Sequence, residues 1–167
     1  MNPFKPDHRY PSLADVPIEE FAGRGIRGVL LDIDNTLVPY GEYRKITPEN
    51  MEWLKRAEKC GVRCILYSNA SRWKIREIVE VSGLKGVPKA YKPSWHRLNQ
   101  ALEILGCRRN EVLLIGDQAC TDILGGNWGG VETVLVEPLT DRDWIGTKLL
   151  RLIEWLVLPD RRPWSKR

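Results

Sequence analysis

Two aspartates one residue apart stand directly after a short apolar run. Asp32 and Asp34 follow the run 28–31, whose residue types are those of a buried strand. Two carboxylates at the end of such a strand repel each other and resist desolvation unless a cation or hydrogen-bond donors compensate them. The pair therefore indicates a metal site or an acid–base task. A polar strand end or an Asx turn is the alternative that the pair alone leaves open.

Further candidate groups follow later apolar runs or introduce helical patterns. These groups are Ser68 and Asn69, then Lys92, then Asp117, Gln118 and Asp122. Each group alone also fits a turn, a helix cap or a solvated helix entry. Their occurrence together, in loops that would converge at one edge of a parallel sheet, favours a shared site.

The elements that would position these groups alternate between apolar runs and helical patterns. Strands are predicted at 28–33, 62–67, 111–115 and 131–136, and a short strand or loop is predicted at 87–91. Helices are predicted at 51–60, 72–82, 94–105 and 121–124. Thr47 and Pro48 mark the start of the first of these helices. Strands that are apolar throughout and separated by helices predict an α/β fold with a doubly wound, Rossmann-like parallel sheet.

The chain divides into three predicted parts. Residues 1–25 contain four prolines and predict an extended arm with a short helix near 18–22, so that core order begins later. Residues 26–140 carry the α/β pattern and all the candidate groups. Residues 141–167 predict an amphipathic helix and a basic tail, with seven Lys and Arg against four Asp and Glu.

Composition limits the functional classes only loosely. The chain has 167 residues, of which 43% are hydrophobic and 29% charged, as in an ordinary globular domain. It has no apolar run of the roughly 20 residues that cross a bilayer and no secretory signal pattern, so we expect an intracellular protein. The four cysteines lack a CxxC pair, which favours free thiols. A net charge of +4 is compatible with phosphorylated ligands, anionic lipid or nucleic acid.

In their order, spacing and strand context, the candidate groups resemble the four motifs of the haloacid dehalogenase (HAD) superfamily. The resemblance covers about residues 26–136. The stretches 31–38 and 116–127 are most similar to the small subfamily IIIA group of YqeG-like proteins and mitochondrial phosphatidylglycerophosphatases. The resemblance implies a HAD-like fold without a large cap domain and a phosphatase that forms an aspartyl-phosphate.

The resemblance also implies roles for individual residues. Asp32 would be the nucleophile and Asp34 the general acid and base. Mg²⁺ would be bound by the Asp32 carboxylate, the Asp34 backbone carbonyl and Asp117. The remaining candidates are Ser68, Asn69 and Lys92 for the phosphate, and Thr36, Gln118 and Asp122 as supporting residues.

The number of residues between the motifs limits the kind of substrate that the site can take. Between Thr36 and Ser68 there are 31 residues, most of which a helix and a strand require, so no large lid fits there. The resemblance then implies an open cleft and a phosphate carried on something large, with phosphatidylglycerophosphate as the leading hypothesis. We expect a cytoplasmic protein with peripheral membrane contact through the C-terminal helix, and no nucleic-acid partner. The alternatives are a HAD phosphatase for a soluble nucleotide, sugar phosphate or phosphoprotein, and a phosphate-sensing or ribosome-associated binding module.

Overall fold

The structure is a computed structural model that describes residues 2–87 and 89–140. Its described strands are all parallel and form one sheet with the order β1-β6-β5-β2-β3-β4. The strands are β1 His8–Tyr10, β2 Gly28–Leu31, β3 Arg63–Tyr67, β4 Lys85–Val87, β5 Val112–Gly116 and β6 Glu132–Val136. The predicted doubly wound parallel sheet is therefore confirmed.

The described helices connect these strands. They are α1 Ile18–Gly23, α2 Pro48–Lys59, α3 Arg72–Ser82, α4 Trp95–Leu105 and α5 Leu124–Gly129. The predicted start of α2 is confirmed, because Thr47 is its N-cap and the Thr47 hydroxyl accepts a hydrogen bond from the backbone N–H of Asn50. Glycines in the left-handed conformation, Gly83 and Gly106, follow α3 and α4, where this residue type costs least.

Hydrophobic side chains cover both faces of the sheet. On β2, Val29 and Leu31 belong to one core cluster, whereas Leu30 belongs to a second cluster on the opposite face. All three side chains are fully buried. This alternation explains why β2 is apolar at every position, as expected for a central parallel strand with helices on both sides.

The N-terminal arm differs from its prediction. The expectation that core order begins after residue 25 is wrong, because β1 pairs with β6 and the side chains of Leu13, Val16 and Ile18 are fully buried in the core. The indole N–H of Trp53 on α2 also donates to the backbone oxygen of Val16 at 2.8 Å. Prolines excluded a long helix here, but they did not prevent a three-residue strand at the edge of the sheet.

The observed limits of β2 and β4 differ from the predicted ones. β2 ends at Leu31 because the chain turns soon afterwards, with Asn35 at a φ of 60° and its N–H bonded to the oxygen of Val38. β4 covers Lys85–Val87, and of the two alternatives predicted for 87–91 the described residues 89–91 form the loop. Lys89 and Tyr91 have φ values of 53° and 49°, which a strand does not accommodate.

The short helix predicted at 121–124 is longer than expected. One turn of π-helix over Ala119–Ile123 leads directly into α5, so Gly125 and Gly126 lie inside the helix. A Cβ on Gly126 would lie 2.3 Å from Cγ2 of Thr133 on β6, so the glycine allows the helix and the strand to approach closely.

Two predictions concern the membrane and the C-terminal segment. Among the described residues, no helix is long and apolar enough to cross a membrane. The amphipathic helix predicted within 141–167 lies outside the described residues.

The packing of the arm predicts the effect of removing one of its side chains. We expect Leu13→Ala to lower the free energy of unfolding by about 2–5 kcal/mol, because the fully buried leucine would leave a cavity. Urea unfolding of both proteins measures the difference. Arg9→Ala, at an exposed position of the same arm, should change stability by about 0.5 kcal/mol or less. Equal, small effects of the two substitutions would contradict the packing of the arm.

Candidate active site

The predicted site residues lie where the central strands end. Leu31 of β2 is in register with Leu66 of β3 on one side and with Ile115 of β5 on the other. The residues that follow these strands therefore emerge side by side at the carboxyl edge of the sheet. Because β2 is flanked by strands that come later in the chain, this edge forms the crevice in which α/β folds bind ligands.

Three carboxylates meet in this crevice. Oxygen atoms of Asp32, Asp117 and Asp122 all lie within 4.8 Å of one another, and each residue is at most 4% exposed. Buried like charges at such distances are unfavourable without a cation. A divalent metal that prefers oxygen ligands fits this donor set. Sequence analysis gave Asp122 a supporting role, whereas the structure places it within the cluster.

Lys92 supplies one positive charge to the cluster. Its ammonium contacts a carboxylate oxygen of Asp32 and lies 2.5 Å from Oδ1 of Asp122, and the side chain is buried. Burial alone would lower the pKa of Lys92, but the two carboxylates raise it above its ordinary value. Burial raises the pKa of Asp122, and Lys92 offsets part of that rise. The ammonium therefore stays charged between the carboxylates.

Asn69 holds the backbone of Lys92. Its side-chain oxygen accepts a hydrogen bond from the Lys92 N–H at 2.7 Å, and its side-chain nitrogen donates to the Lys92 carbonyl at 3.3 Å. The structure thus connects the loop after β3 to the loop that carries the lysine. The observed role of Asn69 is to position the backbone of Lys92. Its expected contact with phosphate stays a prediction.

The loop after β5 fixes the orientation of Asp122. The backbone N–H of Gln118 donates to Oδ2 of Asp122 at 3.1 Å, and the side-chain oxygen of Gln118 accepts from the hydroxyl of Thr121 at 3.3 Å. A Cβ on Gly116 would lie 2.2 Å from Cγ of Asp122. Glycine is therefore required at the end of β5 for the carboxylate to enter the cluster.

Asp34 lies beside the cluster, half-buried, and has partners of its own. Burial, followed by the charge of Asp32, raises its pKa, whereas Lys74 and a hydrogen bond from Tyr43 lower it. The Lys74 ammonium also lies 4.6 Å from the centre of the Tyr43 ring. A raised pKa suits a carboxyl group that must donate a proton.

Sequence analysis missed Tyr43 and Lys74. Tyr43 comes from an irregular loop without periodicity, so its contact with Asp34 could not be predicted. Lys74 lies in the first turn of α3, a turn without acidic residues. A cation in the first turn of a helix, where the helix dipole disfavours it, was the one signal that could have drawn attention to it.

Ser68 and Thr36 line the same edge. The Ser68 hydroxyl oxygen accepts a hydrogen bond from the N–H of Ala70 at 3.3 Å, and the side chain is buried. The backbone of Thr36 orders the first loop, since its N–H donates to the oxygen of Ile33 and its carbonyl accepts from the side chain of Asn50. Among the described residues, the Thr36 hydroxyl has no hydrogen-bond partner.

Comparison with known proteins connects this geometry to phosphatases. A family model described as HAD-hydrolase-like matches residues 90–142. The probable phosphatase YqeG of Bacillus subtilis (strain 168) is 30% identical over 155 residues, which cover 93% of this chain and 90% of that protein.

One algal and one plant relative match over smaller shares of their own length. Phosphatidylglycerophosphate phosphatase 1, chloroplastic, of Chlamydomonas reinhardtii is 29% identical over 140 residues, which cover 78% of this chain and 51% of that protein. Phosphatidylglycerophosphate phosphatase 1, chloroplastic/mitochondrial, of Arabidopsis thaliana is 28% identical over 127 residues, which cover 70% of this chain and 36% of that protein. The chain thus spans about half the length of the algal relative and about a third of the length of the plant relative.

Solved structures share the fold. An uncharacterized protein from Listeria monocytogenes serotype 4b superposes with a TM-score of 0.58 at 17% identity, over 77% of this chain and 99% of that one. The cobalt-bound deoxy-D-mannose-octulosonate 8-phosphate phosphatase of Haemophilus influenzae gives a TM-score of 0.52 at 14% identity, over 83% and 90%. At these identities the likeness extends to the fold alone.

The buried charges predict a pH-dependent loss of stability when Lys92 is removed. We expect Lys92→Met to lower the free energy of unfolding by about 3–5 kcal/mol near neutral pH, because buried carboxylates lose their counter-charge. Without Lys92 the pKa of Asp122 rises further, so that its ionisation disfavours the folded state as the pH increases. The loss should therefore be smaller at about pH 5 than at about pH 8.

Urea unfolding at the two pH values measures this difference. Lys89→Met is the matched control, since Lys89 is exposed and, among the described residues, belongs to no ion pair. It should change stability by about 0.5 kcal/mol or less. A loss for Lys92→Met that does not depend on pH would contradict the assigned electrostatics.

Proposed function

The chain belongs to the HAD hydrolases and is a phosphatase of that family, and from this premise we propose that it hydrolyses phosphatidylglycerophosphate to phosphatidylglycerol and phosphate. The observation that carries the phosphatase chemistry is the set of three buried carboxylates around the Lys92 ammonium. Phosphate monoesters are anionic and hydrolyse slowly, so an anionic nucleophile needs cations close by.

In this proposal Asp32 and Asp34 divide the chemistry between them. A carboxylate oxygen of Asp32 attacks phosphorus, the bond to the ester oxygen breaks, and Asp34 gives its proton to the leaving alkoxide. Asp34, now a carboxylate, then takes a proton from water as the water oxygen attacks the aspartyl-phosphate. Phosphate leaves and both carboxyl groups return to their starting states.

Lys92 and Ser68 would bind the phosphoryl group. The Lys92 ammonium lies against Asp32, where it can offset charge on both the nucleophile and the incoming phosphate. Because the Ser68 oxygen accepts from the Ala70 N–H, its hydroxyl proton is available to a phosphoryl oxygen. Asn69 supports Lys92 from behind through the two backbone hydrogen bonds.

We further propose that the site holds Mg²⁺. Asp32, Asp117 and the backbone carbonyl of Asp34 would be its protein ligands, with Asp122 at the border of the site. When bound, the ion offsets negative charge on the phosphoryl oxygens and on Asp32. The all-oxygen donor set supports Mg²⁺ over softer metals.

Two observations support a lipid phosphate as the substrate. Two relatives are named phosphatidylglycerophosphate phosphatases. In addition, the regular elements of the described residues between Asp34 and Asp117 are helices α2 to α4, a 3-10 turn at Arg109–Glu111 and strands β3 to β5, which leave no room for a further domain over the crevice. A phosphate carried on a large molecule can therefore approach Asp32.

The nucleophile predicts the first test. Purified protein should release phosphate from phosphatidylglycerophosphate in mixed micelles with Mg²⁺, and chelation should abolish the release. Asp32→Asn should lower kcat by about 10³-fold or more, because an amide cannot form the acyl phosphate. Asp15→Asn, at an exposed position outside the crevice, is the control and should retain activity. Phosphate release from soluble esters but not from the lipid would refute the lipid substrate and leave the phosphatase chemistry intact.

The acid–base role of Asp34 predicts a dependence on the leaving group. Asp34→Asn should slow hydrolysis of alkyl phosphates by about 10²–10⁴-fold, since an alkoxide needs a proton to leave. With 4-nitrophenyl phosphate the leaving group needs no proton, so the variant should release a burst of nitrophenolate before slow turnover of the aspartyl-phosphate. Stopped-flow absorbance measures the burst. Equal slowing of both substrates without a burst would contradict this role.

A further inference from the structure

Three large aromatic side chains in the segments that follow β3 and β4 face solvent. Trp73, Tyr91 and Trp95 are 59%, 57% and 63% exposed. Trp73 is in the first turn of α3, just after the loop of Ser68, and Trp95 is the first residue of α4. Tyr91 directly precedes Lys92. All three therefore belong to the connections that follow β3 and β4, at the carboxyl edge of the sheet.

Contacts tie these aromatics to the site. The Trp73 ring packs edge-on against Tyr43 with 5.7 Å between ring centres, and Tyr43 hydrogen-bonds Asp34. The Arg97 guanidinium lies 5.6 Å from the centre of the Tyr91 ring. The exposed aromatics thus adjoin the residues proposed to do the chemistry.

The same segments carry an excess of positive charge. Residues 69–76 and 89–97 together contain six Lys and Arg and no Asp or Glu. Among the described residues, Arg72 and Lys89 take part in no ion pair, whereas the charge of Lys74 acts on Asp34. Nearby Glu77 and Glu80 on α3 are engaged by Arg44. We call this set the rim; it comprises the exposed residues Arg72, Trp73, Lys89, Tyr91 and Trp95 and the partly exposed Lys74.

We propose that the rim is a docking surface for an anionic lipid bilayer, which brings headgroup phosphates to Asp32. Trp and Tyr favour the headgroup level of a membrane, where the ring contacts the acyl boundary and the polar edge stays hydrated. Lys and Arg beside them are attracted by anionic lipid. This inference rests on the proposed lipid substrate and deepens it by assigning the surface that reaches that substrate.

The path of the chain supports a bilayer as the partner. The Leu139 N–H donates to the oxygen of Asn35 at 2.9 Å, and the Thr140 hydroxyl donates to Oδ1 of Asn35 at 2.8 Å. The chain thus leaves the described region beside the loop of Asp34. The sequence that follows, 141–167, has three tryptophans, an amphipathic pattern and seven Lys and Arg against four Asp and Glu. Single-stranded nucleic acid can also use aromatics and cations, but it does not call for an amphipathic segment.

Flotation with vesicles tests the aromatic part of the rim. Full-length protein should bind phosphatidylcholine vesicles that contain phosphatidylglycerol, and binding should weaken as salt is added. Trp95→Ala and Trp73→Ala should each lower the vesicle partition coefficient by about fivefold. Trp128→Ala is the matched control, since Trp128 is 64% exposed but lines a separate cleft with N-terminal residues. Equal loss for all three variants would overturn the assignment of the rim.

A second pair of variants tests the charges. Arg72→Gln and Lys89→Gln should each weaken binding by about fivefold. Lys59→Gln should not, because Lys59 is in the last turn of α2, at the opposite edge of the sheet. Failure of the wild-type protein to bind anionic vesicles, or tighter binding to single-stranded RNA than to vesicles, would overturn the proposal.

A ratio of activities separates this inference from the proposed function. Turnover of phosphatidylglycerophosphate in vesicles is divided by turnover of a water-soluble, short-chain form of the same lipid. Trp95→Ala should lower this ratio by about fivefold, and Trp128→Ala should leave it unchanged. An unchanged ratio in Trp95→Ala would refute docking through the rim while the substrate stands. No hydrolysis of the short-chain lipid would refute the substrate itself.

Discussion

The electrostatic balance around Lys92 is the constraint on which the rest of the site depends. Three buried carboxylates, Asp32, Asp117 and Asp122, surround a crevice to which the described residues bring one buried ammonium. With all four groups ionised, two negative charges remain, which is the charge that one divalent cation offsets. Burial makes this balance strict, because uncompensated charge is far more costly in the interior than in water. A site of this kind is unfavourable for folding alone, and the proposed Mg²⁺-dependent phosphatase chemistry gives a reason for it.

Much of the surrounding structure keeps these charges in place. Gly116 leaves room for the Asp122 carboxylate, and Asn69 fixes the backbone of Lys92. Asn50, fully buried at the start of α2, donates to the carbonyls of Thr36 and Leu37 and so holds the loop that follows Asp32. The two hydrophobic clusters make the sheet rigid from both faces. The stability that the charges cost is therefore provided by the core.

The sequence predicted the features that depend on local or periodic signals. The helix start at Thr47 and the parallel sheet follow from capping and patterning. It failed for β1, because a three-residue edge strand among prolines has no periodicity to detect. It also failed for Tyr43 and for the contact of Asn69 with Lys92, since both are determined by tertiary structure. The order of the polar residues after the strands predicted which residues lie together. The hydrogen bonds and ion pairs among them follow only from the three-dimensional structure.

The crevice is negatively charged, whereas the segments at its opening are positively charged. This difference in sign affects how an anionic phosphate reaches the crevice. An anionic phosphate approaching three carboxylates would be repelled unless the approach itself were cationic. Helices α3 and α4 both begin at this edge and have no acidic residue in their first turns, unlike α1, whose first turn contains Glu19 and Glu20. Acidic residues there would stabilise each helix through its dipole, so their absence leaves the positive ends of two helices available to an anion. In the proposed function, these helix ends and the cations of the rim would attract a phosphate from outside, and Asp32 and Asp34 would act on it within the crevice.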